Sequence, residues 1–179
     1  MEIRSAHFLL HTDLDPEIAR ARLTEFEATQ GALSRQIRRS VAEPAGKVEI
    51  ILFEREEDFY EVAGQDRTKA GYFTARLAGD VEAQPVMVMP KNFAGEARET
   101  FQHELAHRLL HLRFANLPTW LNEGIAVYGE GGPEPAAAEQ LDRAIADDTV
   151  LSVRALSAQF SEDPSQADLS YSQSYSIVN

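Results

Sequence analysis

The sequence predicts an α+β protein in which a small mixed sheet is followed by a helical half. The first half contains short segments with the alternation or the β-branched, apolar residues typical of strands. The second half carries longer segments whose apolar residues recur at helical spacing. We expect a single domain over residues 1–179, with the sheet mainly in 1–92 and the helices in 93–179.

The first half is predicted to hold four strands and two helices. The strands cover residues 6–12, 48–53, 72–77 and 85–89. The first helix begins at Asp13 or Asp15, whose carboxylate can accept a hydrogen bond from the first turn, and it runs to about Arg39. The second helix covers residues 56–63 and stops at Gly64, and residues 78–80 form the turn between the last two strands. Helical spacing predicts that the apolar face of the first helix consists of Ile18, Leu23, Phe26, Leu33 and Ile37.

The second half is predicted to be helical over residues 95–114, 120–130 and 135–147. A Gly-Gly-Pro sequence at residues 131–133 ends the middle helix, because glycine favours the left-handed conformation that commonly closes a helix. Residues 170–179 open a further helix in which the chain ends. We therefore expect the domain to be truncated at its C-terminus.

The composition narrows the chemistry that the chain can carry. Cysteine is absent, which leaves nitrogen and oxygen ligands for any metal and excludes a cysteine nucleophile. The formal net charge of −12 argues against nucleic acid or an anionic membrane as a partner. No apolar segment approaches the roughly 20 residues needed to cross a bilayer, and the N-terminus lacks a signal-peptide pattern. We expect a soluble protein, with cytoplasmic and exported locations and the oligomeric state all left open.

The strongest chemical signal is His-Glu-Leu-Ala-His at residues 103–107, which has the form HExxH. Successive helical residues lie about 100° apart, so His103 and His107 are within about 40° of each other and can bind one zinc ion. Glu104 lies on the flank of that face, where it can act as a general base toward a water at the metal. On the pentapeptide alone, histidines that only cap or form hydrogen bonds remain the alternative. Core packing of this helix is accounted for by Ala97, Phe101, Leu105, Leu109 and Leu112.

Glu123 is predicted to be the third zinc ligand. Catalytic zinc commonly takes three protein ligands and keeps one position open. Glu123 lies near the start of the next predicted helix, and Pro118 and Thr119 supply a turn that would direct this helix back antiparallel to the first. Taken alone, Glu123 is explained by the preference for acidic residues in the first turn of a helix. Downstream of HExxH, metal binding becomes the better interpretation.

The segments HELAH and PTWLNEGIA resemble the gluzincin metallopeptidases, and most closely the peptidase-MA-like domains, whose pattern is approximately HELxH followed by PxWLxEGxA. The opening HFLLHTD and residues 48–71 are also similar to that group. The resemblance implies a zincin-like, thermolysin-like catalytic domain that contains Zn2+ and hydrolyses peptide bonds. It places metal ligation on His103, His107 and Glu123, and the general base on Glu104.

The resemblance implies two further features. In related gluzincins a tyrosine downstream of the third ligand hydrogen-bonds the oxyanion; Tyr171 is the candidate here and Tyr175 the alternative, although both could simply belong to an amphipathic helix. Substrate is expected to extend along an edge strand, which by order in the chain covers residues 71–76, with 85–89 just inside it. The candidate substrate-binding residues on that strand are Tyr72, Phe73, Thr74 and Ala75.

The predicted function is zinc-dependent hydrolysis of a peptide or protein substrate by metal-activated water, with Glu104 as the general base. Zn2+ and Tyr171 would share the developing oxyanion. One alternative is a catalytically weak or inactive zinc-binding domain that serves as a binding or sensor module, and the intact Glu104 argues against it. A zinc hydrolase of a non-peptide amide is a second alternative, which the sequence leaves open.

The remaining histidines have simpler interpretations. His111 follows the HExxH motif by one helical turn and is expected to pack or to lie at the surface, because three ligands are already supplied. His7 and His11 alternate with Leu9 in a predicted strand and are expected on a polar face of the sheet.

Three residues around Glu123 also have alternatives. Trp120 and Tyr128 are expected to pack in the core, the default for aromatic residues on a helix. Asn122 could orient the neighbouring Glu123 or could simply help to begin the helix.

Overall fold

The computed structural model describes residues 1–37, 46–62, 72–75, 85–114, 116–158, 160 and 163–179. These residues form five strands and seven helices, which confirms the predicted α+β class. They divide into two compact units, Met1–Glu104 and Leu105–Asn179. That residues 1–179 form a single domain stays a prediction.

The first unit contains one five-stranded sheet. Its strands are β1 (Glu2–Arg4), β2 (Phe8–Thr12), β3 (Val48–Phe53), β4 (Tyr72–Ala75) and β5 (Pro85–Pro90), in the order β1-β2-β3-β5-β4. β2, β3 and β5 are parallel, whereas β1 and β4 pair antiparallel at the two edges. The sequence did not predict β1, because three residues with one apolar side chain carry no periodic signal.

Buried and partly exposed residues alternate along β2 and β3, so one face of the sheet is buried. Phe8 and Leu10 of β2 and Ile50 and Leu52 of β3 are fully buried, whereas the residues between them are partly exposed. Thr12 also points into the core, where its hydroxyl donates to the carbonyl of Leu52 at 2.7 Å. A buried hydroxyl is tolerated there because its hydrogen bond is made.

Helices α1 (Pro16–Gln36) and α2 (Glu56–Val62) also belong to the first unit. Asp15 is the N-cap of α1 and accepts a hydrogen bond from the backbone of Glu17 at 2.8 Å. The predicted buried face is wrong at Ile18, which is 43% exposed, while the adjacent Ala19 is fully buried. The core-facing residues of α1 therefore start at Ala19 and continue at helical spacing, which leaves Ile18 about 100° away from them. The predicted helix end at Arg39, the stop at Gly64 and the turn at 78–80 lie outside the described residues.

Four phenylalanine rings form the centre of the first unit. Phe26 of α1 lies 4.8 Å from Phe93 and 4.8 Å from Phe101, measured between ring centroids, and 6.0 Å from Phe8 of β2. Phe101 lies in the first part of α3 (Glu96–His111), two residues before His103. Edge-on and tilted ring contacts add to the burial of apolar area, so this cluster fixes the start of the helix that carries the HExxH motif.

Both predicted sheet histidines have carboxylate partners. His11 lies on the half-exposed face of β2, with its Nε2 3.0 Å from Glu49 of β3. His7 instead precedes β2 and contacts α1, where its Nδ1 lies 2.6 Å from Glu27 and its backbone nitrogen donates to the same carboxylate at 2.8 Å. Burial alone would raise the pKa of Glu27, but hydrogen bonds from Ser5 and His7 outweigh it and hold that pKa below its usual value.

The second unit is helical in its described residues. After the end of α3 come α4 (Thr119–Glu130), α5 (Pro135–Ala146), α6 (Val153–Leu156) and α7 (Pro164–Val178). None of the helices in the described ranges has the length and apolar character needed to cross a membrane. α3 ends at His111, before the predicted residue 114, and α6 was not predicted because one turn is too short for a periodic signal.

α7 begins well before the predicted start at residue 170. Asp163 is its N-cap, and hydrogen bonds from the Ser165 side chain and from the backbone of Gln166 and Ser165 lower the pKa of Asp163. The buried residues of α7 are polar, so their positions give no hydrophobic period along this segment. They are Ser170, Ser172, Gln173 and Ser174.

Candidate metal centre

Helix α3 presents His103 and His107 on one side and an apolar stripe on another. Both histidines are partly buried, and so is Glu104 between them. Four of the five predicted core residues are buried, whereas Leu112 lies beyond the end of the helix and is partly exposed. The buried four are Ala97, Phe101, Leu105 and Leu109.

Helix α4 supplies Glu123 from its first half. The helix starts after Pro118, which holds φ at −57° as the N-cap, and it ends at Gly131, which adopts a left-handed φ of 116°. Both ends therefore match the Pro and Gly signals in the sequence. Glu123 is the fifth residue of α4, and its side chain is 17% exposed.

The structure brings the three predicted ligands together. One ligand atom each from His103, His107 and Glu123 lies within 4.8 Å of the other two. The Nε2 of His107 and the Oε2 of Glu123 lie 3.2 Å apart. Among the described residues this is the one group of three metal-ligating side chains with such geometry.

The chemistry of these donors fits Zn2+. Zinc bonds to histidine nitrogen and carboxylate oxygen are roughly 2.0–2.2 Å long, so two ligands at a tetrahedral angle lie roughly 3.3–3.6 Å apart. The distance of 3.2 Å between His107 and Glu123 is close to that spacing. Two imidazoles and one carboxylate also form a ligand set found in catalytic zinc sites, which leave a fourth position for water or substrate.

The comparison with protein families agrees with this geometry. A family model described as the Peptidase MA superfamily matches residues 28–179, which is most of the chain. The chain belongs to the peptidase MA superfamily. This confirms the resemblance seen in the segments HELAH and PTWLNEGIA and the zincin-like fold expected from it. Among curated proteins, none matches the sequence.

The glycine in the segment WLNEGIA, Gly124, lies where two helices approach each other closely. A methyl group on Gly124 would lie 2.5 Å from the carbonyl oxygen of Ser174 and 3.2 Å from the side chain of Val178. α4 and α7 therefore approach too closely at this point for any side chain. The small, fully buried Ser172 and Ser174 on α7 are consistent with that approach. Because Gly124 follows Glu123, this contact constrains the backbone that carries the candidate third ligand.

Gln173 reinforces the packing of α7 and was missed in the sequence. Its side-chain amide donates to the carbonyl of Leu151 at 2.6 Å, and its oxygen accepts from the backbone nitrogen of Leu151 at 2.9 Å. Leu151 lies between α5 and α6, so Gln173 connects α7 to that loop. A single polar residue gives no sequence signal for such a contact, because its backbone partner is distant along the chain.

The two candidate tyrosines of α7 lie in different surroundings. The ring of Tyr171 packs edge-on against Phe160, with centroids 5.0 Å apart. The ring of Tyr175 stacks on Tyr128, and its hydroxyl lies 3.3 Å from where a methyl group on Gly132 would be. Gly132 follows the C-terminal end of α4, roughly 12 Å along the helix from Glu123 at 1.5 Å per residue. The hydroxyl of Tyr175 therefore lies toward the end of α4 that is distant from Glu123.

The predictions for four neighbouring residues have different outcomes. Tyr128 is 43% exposed, so the prediction that it packs in the core is wrong; it lies on the α4 surface that Tyr175 partly covers. Trp120 is partly buried. His111 is exposed at the end of α3 as expected, and its ring stacks on that of His107 with centroids 6.3 Å apart. The Oδ1 atom of Asn122 is buried and has no hydrogen-bond partner among the described residues, and the role of Asn122 as an orienting residue stays a prediction.

The predicted substrate strand occupies a sheet edge. β4 pairs antiparallel with β5 on one side only, and β5 lies between it and β3. The sheet order therefore places residues 72–75 at the edge and 85–90 inside it, in the arrangement that the chain order predicted. The edge strand β4 contains the four candidate substrate-binding residues Tyr72, Phe73, Thr74 and Ala75.

Replacing Gly124 by alanine tests whether this contact positions the third ligand. The methyl group would meet the α7 backbone, so we expect the free energy of unfolding to fall by about 1–3 kcal/mol and zinc affinity to fall with it. Thermal unfolding and zinc titration measure the two effects.

Gly31→Ala in α1 is the matched control for this substitution. A methyl group there would contact only the end of the Arg35 side chain, at 3.4 Å. Alanine is favoured over glycine within a helix by about 1 kcal/mol, so this variant should be at least as stable as the parent. A Gly124→Ala protein with parental stability and zinc affinity would show that the close approach does not position Glu123.

Proposed function

We propose that this protein is a zinc-dependent peptidase in which His103, His107 and Glu123 hold Zn2+ and Glu104 is the general base. The observation that carries the proposal is the convergence of three ligand atoms within 4.8 Å on two helices of a peptidase MA superfamily chain. Its substrate would be a peptide or protein.

The pairing of His107 with Glu123 supports a preorganised site. The two side chains are 15% and 17% exposed, and their nearest atoms are 3.2 Å apart. Partial burial strengthens the attraction between a carboxylate and a cation, because less water screens it. Two neutral imidazoles and a single carboxylate would leave a dipositive ion with a net positive charge.

Zinc in such a site supplies Lewis acidity, which polarises a carbonyl and lowers the pKa of water toward neutrality. Glu104 follows His103 in the chain and lies about 100° round the helix from it, on the flank of the ligand face. Its carboxylate would accept a proton as water attacks the scissile carbonyl carbon. It would then donate that proton to the leaving amine nitrogen as the carbon–nitrogen bond breaks.

Tyr171 is our candidate for the donor to the developing oxyanion. It lies one helical turn before Tyr175 on α7, the helix that packs against Gly124. The hydroxyl of Tyr175 lies beside Gly132, which favours Tyr171 of the two. A phenol positioned before the reaction stabilises negative charge without reorganisation during the chemical step.

Kinetics of three variants test these roles in one assay of zinc-loaded protein on a mixed peptide library. Glu104→Gln should retain zinc and lose nearly all hydrolysis, because an amide cannot accept the proton. Tyr171→Phe should lower kcat by about 10²–10³-fold with little change in KM, the usual effect of losing an oxyanion donor. Tyr175→Phe should retain most of the parental activity.

The same assay separates a peptidase from a zinc-binding sensor. A peptidase loses hydrolysis on chelation and regains it when zinc is restored. A parent protein that binds zinc but cleaves no library peptide would support the sensor alternative. Activity of Glu104→Gln within about tenfold of the parent would contradict the assignment of the general base.

β4 is our candidate for the strand that binds substrate. An edge strand presents unpaired backbone groups, to which an extended peptide can add as a further strand. The antiparallel pairing of β4 with β5 leaves one side of β4 available for such addition in the described sheet.

Proline substitutions at Phe73 and Thr74 test this binding mode. N–H groups of successive strand residues point to opposite sides, so one variant loses a bond to β5 and the other loses an outward donor. The outward variant should remain folded and raise KM roughly three- to tenfold, the effect of one lost hydrogen bond. The outward variant is identified by thermal unfolding, as the variant whose stability stays closer to that of the parent. An unchanged KM for this variant would exclude β4 as the substrate strand.

A further inference from the structure

A second recess lies entirely within the first unit, between α1 and the first part of α3. Its volume is about 350 Å³, which is within the range of small-molecule sites. The residues that give it its chemistry are Arg22 and Glu25 of α1, Arg98 and Gln102 of α3, and Phe93 before α3. Neither the HExxH motif nor Glu123 contributes to it.

Arg22 has one buried donor without an acceptor among the described residues. Its Nη1 donates to Glu25 at 2.8 Å, but its Nε is buried and has no hydrogen-bond acceptor among the described residues. A buried, unsatisfied donor of a charged group is costly unless a partner satisfies it. The Nε and Nη2 groups of a guanidinium form a planar pair that matches two oxygens of one anion. Glu25 contacts Nη1 and does not use this pair.

Arg98 and Gln102 add donors on the opposite wall. Arg98 is exposed, and within the described part of the chain no carboxylate lies within ion-pair distance of it. With two arginines and one glutamate, the lining carries a net positive charge, although the whole chain carries −12. A local cationic recess on an acidic protein attracts an anion selectively.

We propose that this recess binds the carboxylate of a small organic anion. The carboxylate would bridge the Nε and Nη2 donors of Arg22 and the guanidinium of Arg98. The apolar part of the ligand would pack on Phe93, which is 6% exposed, and on the neighbouring alanines of α1. This combination of an anion pair and an aromatic surface favours an aryl or alkyl carboxylate over a bare inorganic anion.

The test follows the side-chain Nε–H resonance of Arg22 by NMR in the zinc-loaded protein. The probes are 3-phenylpropionate, its uncharged amide and inorganic phosphate. We expect 3-phenylpropionate to shift this resonance saturably, with the amide giving no shift and phosphate binding more weakly. No shift at concentrations well above about 1 mM would overturn the proposal. Phosphate binding as strong as that of the carboxylate would overturn the assignment to an organic ligand.

Three variants distinguish carboxylate binding in this recess from carboxylate binding at zinc. Arg98→Gln should weaken 3-phenylpropionate binding by about tenfold or more, the effect of a lost charge-assisted hydrogen bond. Arg22→Lys keeps the charge but lacks the planar donor pair, so it should also weaken binding. Arg20→Gln changes an exposed arginine of α1 outside the recess and should leave binding unchanged. Parental affinity in both recess variants would place the ligand elsewhere.

Discussion

The approach of α4 to α7 at Gly124 is the contact on which the candidate metal centre depends. A glutamate has a short side chain, and a zinc–oxygen bond tolerates only a few tenths of an ångström. Glu123 can therefore serve as a ligand only if the backbone of α4 is held in place. At Gly124 a methyl group would lie 2.5 Å from a backbone oxygen of α7, so the two helices are in close contact there. α4 therefore cannot move toward α7 at this point. Gln173 anchors α7 through Leu151 and so supports the same arrangement.

A second constraint acts at the start of α3. Phe101 packs against Phe26 and Phe8 in the first unit, two residues before His103. The same helix continues to His107, whose Nε2 lies 3.2 Å from Glu123. Packing thus uses the apolar side of α3, and the candidate metal-binding histidines lie on another side of the helix. Glu104 lies about 100° round the helix from His103, so it is displaced from the candidate ligand face. That position suits proton transfer better than ligation.

Much of this arrangement could be predicted from the sequence because its signals are local. The spacing of HExxH fixes which side chains share a helix face, and β3 and α4 were recognised from apolar patterns and glycine or proline boundaries. The position of Ile18 was mispredicted because its apolar character fitted a periodic pattern, while the neighbouring Ala19 faces the core. Hydrophobicity alone does not choose between two adjacent helix positions.

The features that could not be predicted depend on contacts between distant segments. α7 buries serines and a glutamine, and only its partner α4 explains why small and polar residues are suitable there. The recess around Arg22 likewise joins α1 and α3, which are separated in the chain by three strands. The convergence of Glu123 with the histidines is of the same kind, although the resemblance to gluzincins indicated it before the geometry did.

X-ray absorption at the zinc edge, combined with metal analysis, tests the central claim most directly. We expect one zinc per chain, bound by two imidazole nitrogens and light oxygen donors at about 2.0–2.2 Å, and loss of this site in Glu123→Ala. A purified, zinc-supplemented protein that retains no zinc would contradict the account. So would a zinc site whose imidazole signal is absent or whose occupancy is unaffected by the loss of Glu123.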